Sequence, residues 1–300
     1  MDGAMTDVPT TDVAAFEAER TRLRGLAYRM LGSLSDADDV VQDTWLRWQR
    51  LDPAERDAIE RPAAWWTTVA SRRALDVLKS AQRQREQYVG PWLPEPVLTD
   101  GDPADALEWA ESLTLGFLVV LERLTPVERA VFLLADVFGE PYASIAGVVD
   151  RSEEACRQIA SRARQRVRDE RRHVAPMAGA ATDDDLVQAF LAACAFQQVD
   201  DLRRILADDV VLVSDGGRDV HAARRPVQGA ERVSRFLVNV VSRIDPSVTV
   251  ELHRVNGEPG LLVRRGTVTS MVVAFEVIDE HITAVRLVLN PAKLHHLTAP

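Results

Sequence analysis

The sequence predicts a multidomain protein in which two all-α helical modules, the second with a helix-turn-helix, precede an α+β domain. Apolar residues recur at helical spacing in the first half of the chain, and the period shifts towards two beyond about residue 210. Segments rich in Pro and Gly separate these parts. We predict domains at 13–89, 106–173 and 182–300, joined by linkers at 90–105 and 174–181.

The composition indicates a globular chain, with 46% apolar and 27% charged residues. No apolar stretch approaches the ~20 residues of a membrane span, and the acidic N-terminus is unlike a secretory signal, so we expect a cytoplasmic protein. Cys156 and Cys194 fall on apolar helix stripes and are expected to be buried thiols. Because no Cys and His residues have zinc spacing, we expect no metal, and nothing indicates a cofactor.

A helix-turn-helix is predicted near residue 150. The stretch "EPYASIAGVVDRS" predicts a helix with Pro141 at its first position, and Asp150 can adopt the left-handed conformation of a tight turn. Ser152 is a good N-cap for the next helix, in which an apolar stripe recurs every fourth residue from Ala155 to Val167. The turn between the two helices makes this pattern typical of DNA-binding proteins.

The other face of that second helix carries side chains that bond phosphates and base edges. These DNA-binding candidates are Ser152, Arg157, Gln158, Ser161, Arg162, Arg164, Gln165 and Arg168. A solvated basic face is the alternative. The net charge of −10 argues against tight, indiscriminate DNA binding by the chain alone, so a partner is expected to contribute.

The first module is predicted to have helices from Phe16, from a cap at Ser35 and from Pro62. On the second of these, an acidic and amide face beside tryptophans suits docking on a basic helical partner; its residues are Asp39, Gln42, Asp43, Trp45 and Trp48. The alternative is a solvated helix whose tryptophans lie in the core.

The third helix is basic and opens with two adjacent tryptophans. Trp65 and Trp66 point about 100° apart, so one can be buried while the other meets solvent or an unstacked base, although both could stack inside the module. Phosphate contacts are expected from Arg72, Arg73, Lys79, Arg83 and Arg85.

The segment 90–105 contains four prolines and two glycines, which excludes a helix and favours a linker. After it, Thr182 is expected to cap the helix "DDDLVQAFLAACAFQQ". Five β-branched runs and the inserted helix "GAERVSRFLVNVVSR" then predict helices packed on a curved antiparallel sheet.

Two helical modules, a Pro-rich linker and a helix-turn-helix with "SRARQRV" resemble the extracytoplasmic-function group of bacterial sigma factors. The resemblance implies that "DADDVVQDTWLRWQ" binds core RNA polymerase at the clamp helices of its largest subunit, with a further contact at the flap. It also implies that "RPAAWWTTVASRRALDVLK" engages the −10 promoter element and that the basic helix recognises the −35 element.

The last domain resembles the SnoaL-like cone, and sigma factors with this extension carry related motifs in the linker and the extension. The motifs stand here as "WLPEP", "DGGR" and "NPAKL", although Arg218, Asp219 and Ala292 depart from the usual pattern. We expect them to form an interdomain regulatory contact through Trp92, Leu93, Pro94, Glu95, Pro96, Asp215, Gly216, Gly217, Arg218, Asn290, Pro291, Lys293 and Leu294.

Two other functions remain open from the sequence. One is a stand-alone helix-turn-helix regulator that senses a small molecule through its C-terminal domain. The other is an enzyme that uses Asp209, Asp215, Asp219 or His221 as acid or base. The acidic face and the tryptophans of the first module favour the sigma factor over both.

Overall fold

The structure, a computed structural model, describes residues 9–85, 87–100, 114–171, 180–245 and 247–298. The chain divides into two compact units, one formed by Met1–Glu86 and Leu121–Asp169, the other by Gln87–Val120 and Glu170–Pro300. Both predicted helical modules thus contribute to the first unit, whereas the predicted Pro-rich linker belongs to the second. The predicted boundaries stay predictions, and parts of both predicted linkers, 101–105 and 174–179, lie outside the described residues, as do 106–113.

The first unit begins with four helices: α1 (Thr10–Leu31), α2 (Leu34–Gln49), α3 (Pro53–Asp57) and α4 (Pro62–Arg85). Helices α1, α2 and α4 pack on one another. The short α3 was not predicted, although Asp52 and Glu55 form a capping box at its start. The predicted cap of α2 at Ser35 is wrong, because the hydroxyl of Ser33 accepts the N–H of Asp36 at 3.3 Å.

Tryptophans form the centre of this three-helix core. Trp48 and Trp66 are each 1% exposed, with ring centroids 5.2 Å apart, and Trp65 contacts Trp48 at the same distance. Trp48 is therefore a core residue, which corrects the expectation of an exposed docking ring. Its neighbour Trp45 is half-buried against Phe16, at 4.8 Å between ring centroids.

The helices that follow are α5 (Leu115–Leu121), α6 (Pro126–Phe132), α7 (Tyr142–Val149) and α8 (Glu153–Arg171). Helix α6 starts with a capping box between Thr125 and Glu128 and continues as a π-helical turn over Leu133–Val137. Pro141, which was predicted at the first helical position, is instead the N-cap of α7, and the helix begins one residue later at Tyr142.

The second unit contains α9 (Ala180–Ala195), α10 (Val199–Ile205), α11 (Ala230–Val241) and six strands. The strands are β1 (Leu206–Asp215), β2 (Val227–Gln228), β3 (Val248–Val255), β4 (Glu258–Arg265), β5 (Val268–Ile278) and β6 (His281–Val288). Thr182 lies inside α9 and is not its cap. The short α10 and β2 were not predicted.

The sheet has the order β2-β1-β6-β5-β4-β3. All its neighbours are antiparallel except β1 and β6, which are parallel, so the expected antiparallel sheet is corrected to a mixed one. Alternation along a strand predicts which face is buried but not the direction of the neighbouring strand. One face packs against α9 and α11, with the rings of Phe190 and Phe275 4.8 Å apart in its core.

We predict that Trp48→Ala will lower the free energy of unfolding by about 3–5 kcal/mol, because it leaves a cavity among buried rings. Urea unfolding followed by circular dichroism measures the change. Leu46→Ala, on the exposed side of the same helix, is the control and should change it by less than about 1 kcal/mol. A Trp48→Ala change as small as the control would contradict the observed packing.

Candidate nucleic-acid interfaces and the linker cluster

The helix-turn-helix is built from α7, a left-handed turn and α8. Asp150 has φ 54° and ψ 58°, and its N–H donates to the carbonyl of Ala146, as the turn requires. The hydroxyl of Ser152 accepts the N–H of Ala155 at 3.2 Å and caps α8. The buried side of α8 is formed by Cys156, Ile159, Ala160, Ala163 and Val167.

The opposite side of α8 is exposed, as the predicted DNA-binding set requires. Arg164 is the exception: it is half-buried, and its Nε donates to Asp136 at 2.7 Å. The exposed members are Ser152, Arg157, Gln158, Ser161, Arg162, Gln165 and Arg168. The arrangement can lay one polar, basic helix face against a duplex.

The polymerase-binding candidates of α2 do not form one free surface. Asp39 and Gln42 are exposed, whereas Asp43 is half-buried and accepts Nε of Arg73 at 2.7 Å. The structure thus pairs a candidate for polymerase binding with a candidate for the −10 element.

On α4, Trp65 is half-buried and Trp66 fully buried, in line with their predicted divergence. Lys79 and Arg83 are exposed, and Lys79 lies 3.6 Å from Asp76. Arg72 is exposed, and its Nη2 donates to the carbonyl of Gly147 in α7 at 2.8 Å. The two predicted DNA-binding modules are therefore in direct contact within the first unit.

A cluster of charged side chains that the sequence did not predict also connects the two modules. Glu122 accepts Nη1 of Arg85 at 2.5 Å and is also paired with Arg129. Arg129 donates to the carbonyl of Arg29 at 2.9 Å, and Arg85 donates to that of Leu31. Burial opposes the ionisation of Glu122, but Arg129 and Arg85 outweigh it and lower its pKa.

In the second unit, the three predicted motifs meet at one buried carboxylate. Asp215, at the end of β1, is completely buried and accepts Nζ of Lys293 at 2.6 Å. It also accepts the N–H of Leu93 at 2.8 Å, the hydroxyl of Tyr88 at 2.5 Å and the N–H of Gly217 at 3.1 Å. A carboxylate with four donors and a full countercharge is stable without water.

Lys293 completes this linker cluster. Its ammonium group donates to the carbonyl of Leu93 and lies 4.1 Å from the ring centroid of Trp92. The side chains of Leu93, Pro94, Glu95, Pro96 and Leu294 are buried. Arg218 and Pro291 are exposed, so the structure does not bring every predicted regulatory residue into the cluster.

Two glycines of "DGGR" have no room for a side chain. A Cβ on Gly216 would lie 2.3 Å from the carbonyl oxygen of Val220. Gly217 has a φ of 64°, and a Cβ there would lie 2.8 Å from the amide of Asn290. That amide donates to the hydroxyl of Tyr88 at 2.8 Å. The missing side chain of Gly217 therefore lets its backbone lie close to Asn290 and leaves Asn290 in place to bond Tyr88.

The linker also extends the sheet. Leu98 forms an antiparallel bridge with Val255 of β3, and Thr99 N–H donates to the carbonyl of Arg254 at 2.8 Å. The side-chain oxygen of Asn256 accepts the N–H of Val97 at 3.0 Å. "WLPEP" is therefore followed by an isolated β-bridge on the outer edge of β3.

A second charged group lies under α5, on the sheet face that packs against the linker. Glu276 and Arg286 form a buried ion pair of 2.5 Å, and a Cβ on Gly116 would lie 3.0 Å from Glu276 Oε2. Beside them, Glu258 Oε2 is buried without a hydrogen-bond partner among the described residues. Burial raises the pKa of Glu258 to about 8, against the opposing effect of Arg286.

The acids proposed for catalysis are not assembled around a shared proton. Asp215 is paired within the linker cluster, and Asp209 is exposed. Asp219 and His221 both line a cavity of about 200 Å³ beside the "DGGR" loop. Among the described residues no group of His, Cys, Asp or Glu could hold a metal ion, and no helix there is long and apolar enough to cross a membrane. Cys156 and Cys194 are buried free thiols, as predicted.

Residues 15–84 match the family described as Sigma-70 region 2, and residues 116–167 match Sigma-70, region 4. The chain is 41% identical over 254 residues to ECF RNA polymerase sigma factor SigJ of Mycobacterium tuberculosis, covering 83% of this chain and 80% of that protein. It is 32% identical over 289 residues to the probable ECF RNA polymerase sigma factor SigI of the same species, covering 95% and 96%. The crystal structure of SigJ matches with a TM-score of 0.74 at 35% identity, covering 94% of this chain and 98% of that one.

The two matched sigma regions and the similarity to sigma factors define a DNA-binding transcription initiation factor. The chain belongs to the extracytoplasmic-function family of RNA polymerase sigma factors. It directs transcription initiation, and its C-terminal domain is an α+β domain of the SnoaL-like type. The resemblance stated from the sequence is confirmed, and the stand-alone regulator is not favoured.

Sequence reasoning missed Tyr88, Asn256, Glu122 and Arg129. Each makes a contact with a residue far away in the sequence, and three of them, Asn256, Glu122 and Arg129, stand in unremarkable local patterns. Tyr88 alone had a local signal, since it lies between a basic helix and the Pro-rich linker.

We predict that Glu258 makes the protein less stable as the pH rises. Its pKa in the folded state is about 8, above its ordinary value, so the folded state binds more protons than the unfolded state over the interval between them. The stabilising contribution is complete below about pH 4 and is lost as the pH rises through 8.

Between pH 5 and 8, the decrease in the free energy of unfolding should be smaller in Glu258→Gln than in the wild type by about 1–4 kcal/mol. Urea unfolding at pH 5, 6.5 and 8 tests it, with the exposed Glu280→Gln as the matched control. Parallel pH profiles for the wild type and Glu258→Gln would contradict the assignment.

Proposed function

We propose that the C-terminal domain regulates this sigma factor by holding the linker between the two promoter-binding modules. The observation that carries the proposal is the buried Asp215, which accepts hydrogen bonds from Tyr88, two residues before the predicted linker, and from Leu93 within it, and is paired with Lys293. Residues 87–100, if extended, would span roughly 46 Å. While residues 87–100 are bound to the C-terminal domain, they cannot extend, and their length does not add to the distance that the two modules can reach.

The contact between Arg72 and Gly147 supports a closed form of the modules. The −10 and −35 elements are about 25 base pairs apart, or roughly 85 Å along B-DNA at 3.4 Å per base pair. Modules that share a hydrogen bond cannot occupy both elements. We therefore propose that promoter binding opens this contact and frees Arg72 for phosphate.

The finer partner assignments follow from the exposed faces. Asp39 and Gln42, with Asp43 once Arg73 moves, are proposed to contact the clamp helices of the largest polymerase subunit, and the second module is proposed to contact the flap. The exposed face of α8 is proposed for the −35 element and α4 for the −10 element. Such a protein works in the cytoplasm, needs no cofactor and catalyses no reaction of its own.

The test of linker control is transcription with core polymerase on a promoter pool from the source genome. We compare the full chain, a chain ending near Pro176, and the double variant Asp215→Asn/Lys293→Met, which removes both charges of the pair together. We expect the truncation to change transcript yield several-fold and the double variant to change it in the same direction.

Asp219→Asn is the matched control, because this acid lies in the same loop but is exposed. It should leave the yield unchanged. Circular dichroism confirms that each variant folds. Unchanged polymerase binding and transcription after truncation would reject regulation by the linker. Binding to a DNA site without polymerase, with no transcript, would instead support a stand-alone regulator.

A further inference from the structure

The five arginines between Arg157 and Arg168 are not equivalent. Three of them are neutralised within the first unit: Arg157 by Glu153 at 2.8 Å, Arg164 by Asp136 at 2.7 Å, and Arg166 by Glu128 at 2.6 Å. Arg162 makes no ion pair among the described residues, and Arg168 contacts Gln165 at 2.9 Å without one. Part of the formal charge of α8 is thus balanced by acids of the chain itself. The pair of Arg157 and Glu153 is exposed and exchangeable, whereas the side chain of Asp136, beside Arg164, is only 27% exposed.

Tyr142, the first residue of α7, contacts two of the neutralised arginines. Its hydroxyl accepts Nη2 of Arg164 at 3.1 Å, and its ring lies 5.3 Å from the guanidinium carbon of Arg157. Arg157 and Arg164 are seven residues apart, so they lie two turns apart on the edge of α8 that faces α7. The side chain of Tyr142 therefore contacts α8 at two points that are two helical turns apart.

The remaining polar positions occupy the centre of the exposed face. At 100° per residue, Gln158, Ser161 and Gln165 lie within about 60° of one another, and Arg162 and Arg168 lie on either side of them. Amide and hydroxyl groups at the centre of this face can bond base edges. Arginine can bond either a base edge or a phosphate, and the marginal position of Arg162 and Arg168 favours phosphate.

We propose that Tyr142 and Asp136 are positioning residues that seat α8, and that phosphate contact in the −35 element is made by Arg162 and Arg168 rather than by Arg164. Gln158, Ser161 and Gln165 then read bases. Asp136 and Glu128 also limit the charge of the helix, which restrains indiscriminate binding. The inference rests on the proposed assignment of α8 to the −35 element.

Salt dependence separates the two kinds of arginine. Each phosphate contact adds about 0.9 to the slope of log K against log salt concentration. The full chain is assembled with core polymerase, and its affinity for a promoter duplex is measured between 50 and 200 mM salt. We expect Arg162→Ala and Arg168→Ala each to reduce the slope by about 0.9, and Arg164→Ala to leave it unchanged.

The tyrosine is tested with a matched pair of variants. Tyr142→Phe keeps the ring under Arg157 and loses the bond to Arg164, whereas Tyr142→Leu loses both. We expect Tyr142→Leu to lower promoter affinity about tenfold, and to lower it equally for all single-base variants of the −35 element. Tyr142→Phe should restore at least half of that loss in log units. Replacement of Gln158 or Gln165 by Ala should instead change the preference among those variants.

The outcomes are distinguishable. A slope that falls with Arg164→Ala and not with Arg162→Ala or Arg168→Ala would overturn the division of roles. Full affinity for Tyr142→Leu would overturn the positioning role. If replacement of the whole exposed face of α8 leaves holoenzyme binding unchanged, the −35 assignment itself fails.

Discussion

The attachment of the linker to the second unit depends on the buried ion pair between Asp215 and Lys293. Removing two charges from water is costly, and the cost is recovered only where donors surround the carboxylate. Here Leu93 of the linker and Tyr88 just before it supply two of those donors, and the "DGGR" loop supplies another. The pair therefore stabilises one arrangement of linker, loop and C-terminal segment, because any other arrangement would leave a buried charge without its partners.

Ion pairs between distant residues also stabilise the first unit. Glu122 holds Arg85 and Arg129, and Asp43 holds Arg73, so several groups suited to polymerase or DNA are occupied by the chain itself. These contacts differ in strength: the pair of Asp43 is partly exposed and exchangeable, whereas Arg129 is buried. A partner can displace the former at low cost, while the latter preserves the fold around it.

The sequence predicted much of this architecture where periodicity was the deciding signal. The buried stripe of α8, its Ser152 cap, the left-handed Asp150 and the five long strands are confirmed. Periodicity also separates Trp48 from Trp45: at 100° per residue Trp48 lies at the centre of the buried face of α2, between Val41 and Thr44, and Trp45 lies about 60° away at its edge. Grouping both rings with the acidic face overlooked this difference. The parallel pairing of β1 with β6, and the meeting of three distant motifs at Asp215, depend on long-range topology that no local pattern contains.

The β-bridge between the linker and β3 has a consequence for the sheet itself. An unpaired strand edge is a template for pairing with another chain, and β3 carries exposed Val250 and Leu252 beside that edge. Leu98 and its neighbours cover one end of the edge. A linker that leaves the domain would uncover main-chain donors and acceptors next to apolar side chains. The segment that connects the modules thus also covers part of the β3 edge and hinders its pairing with strands of other chains. Its release would expose that edge to such pairing.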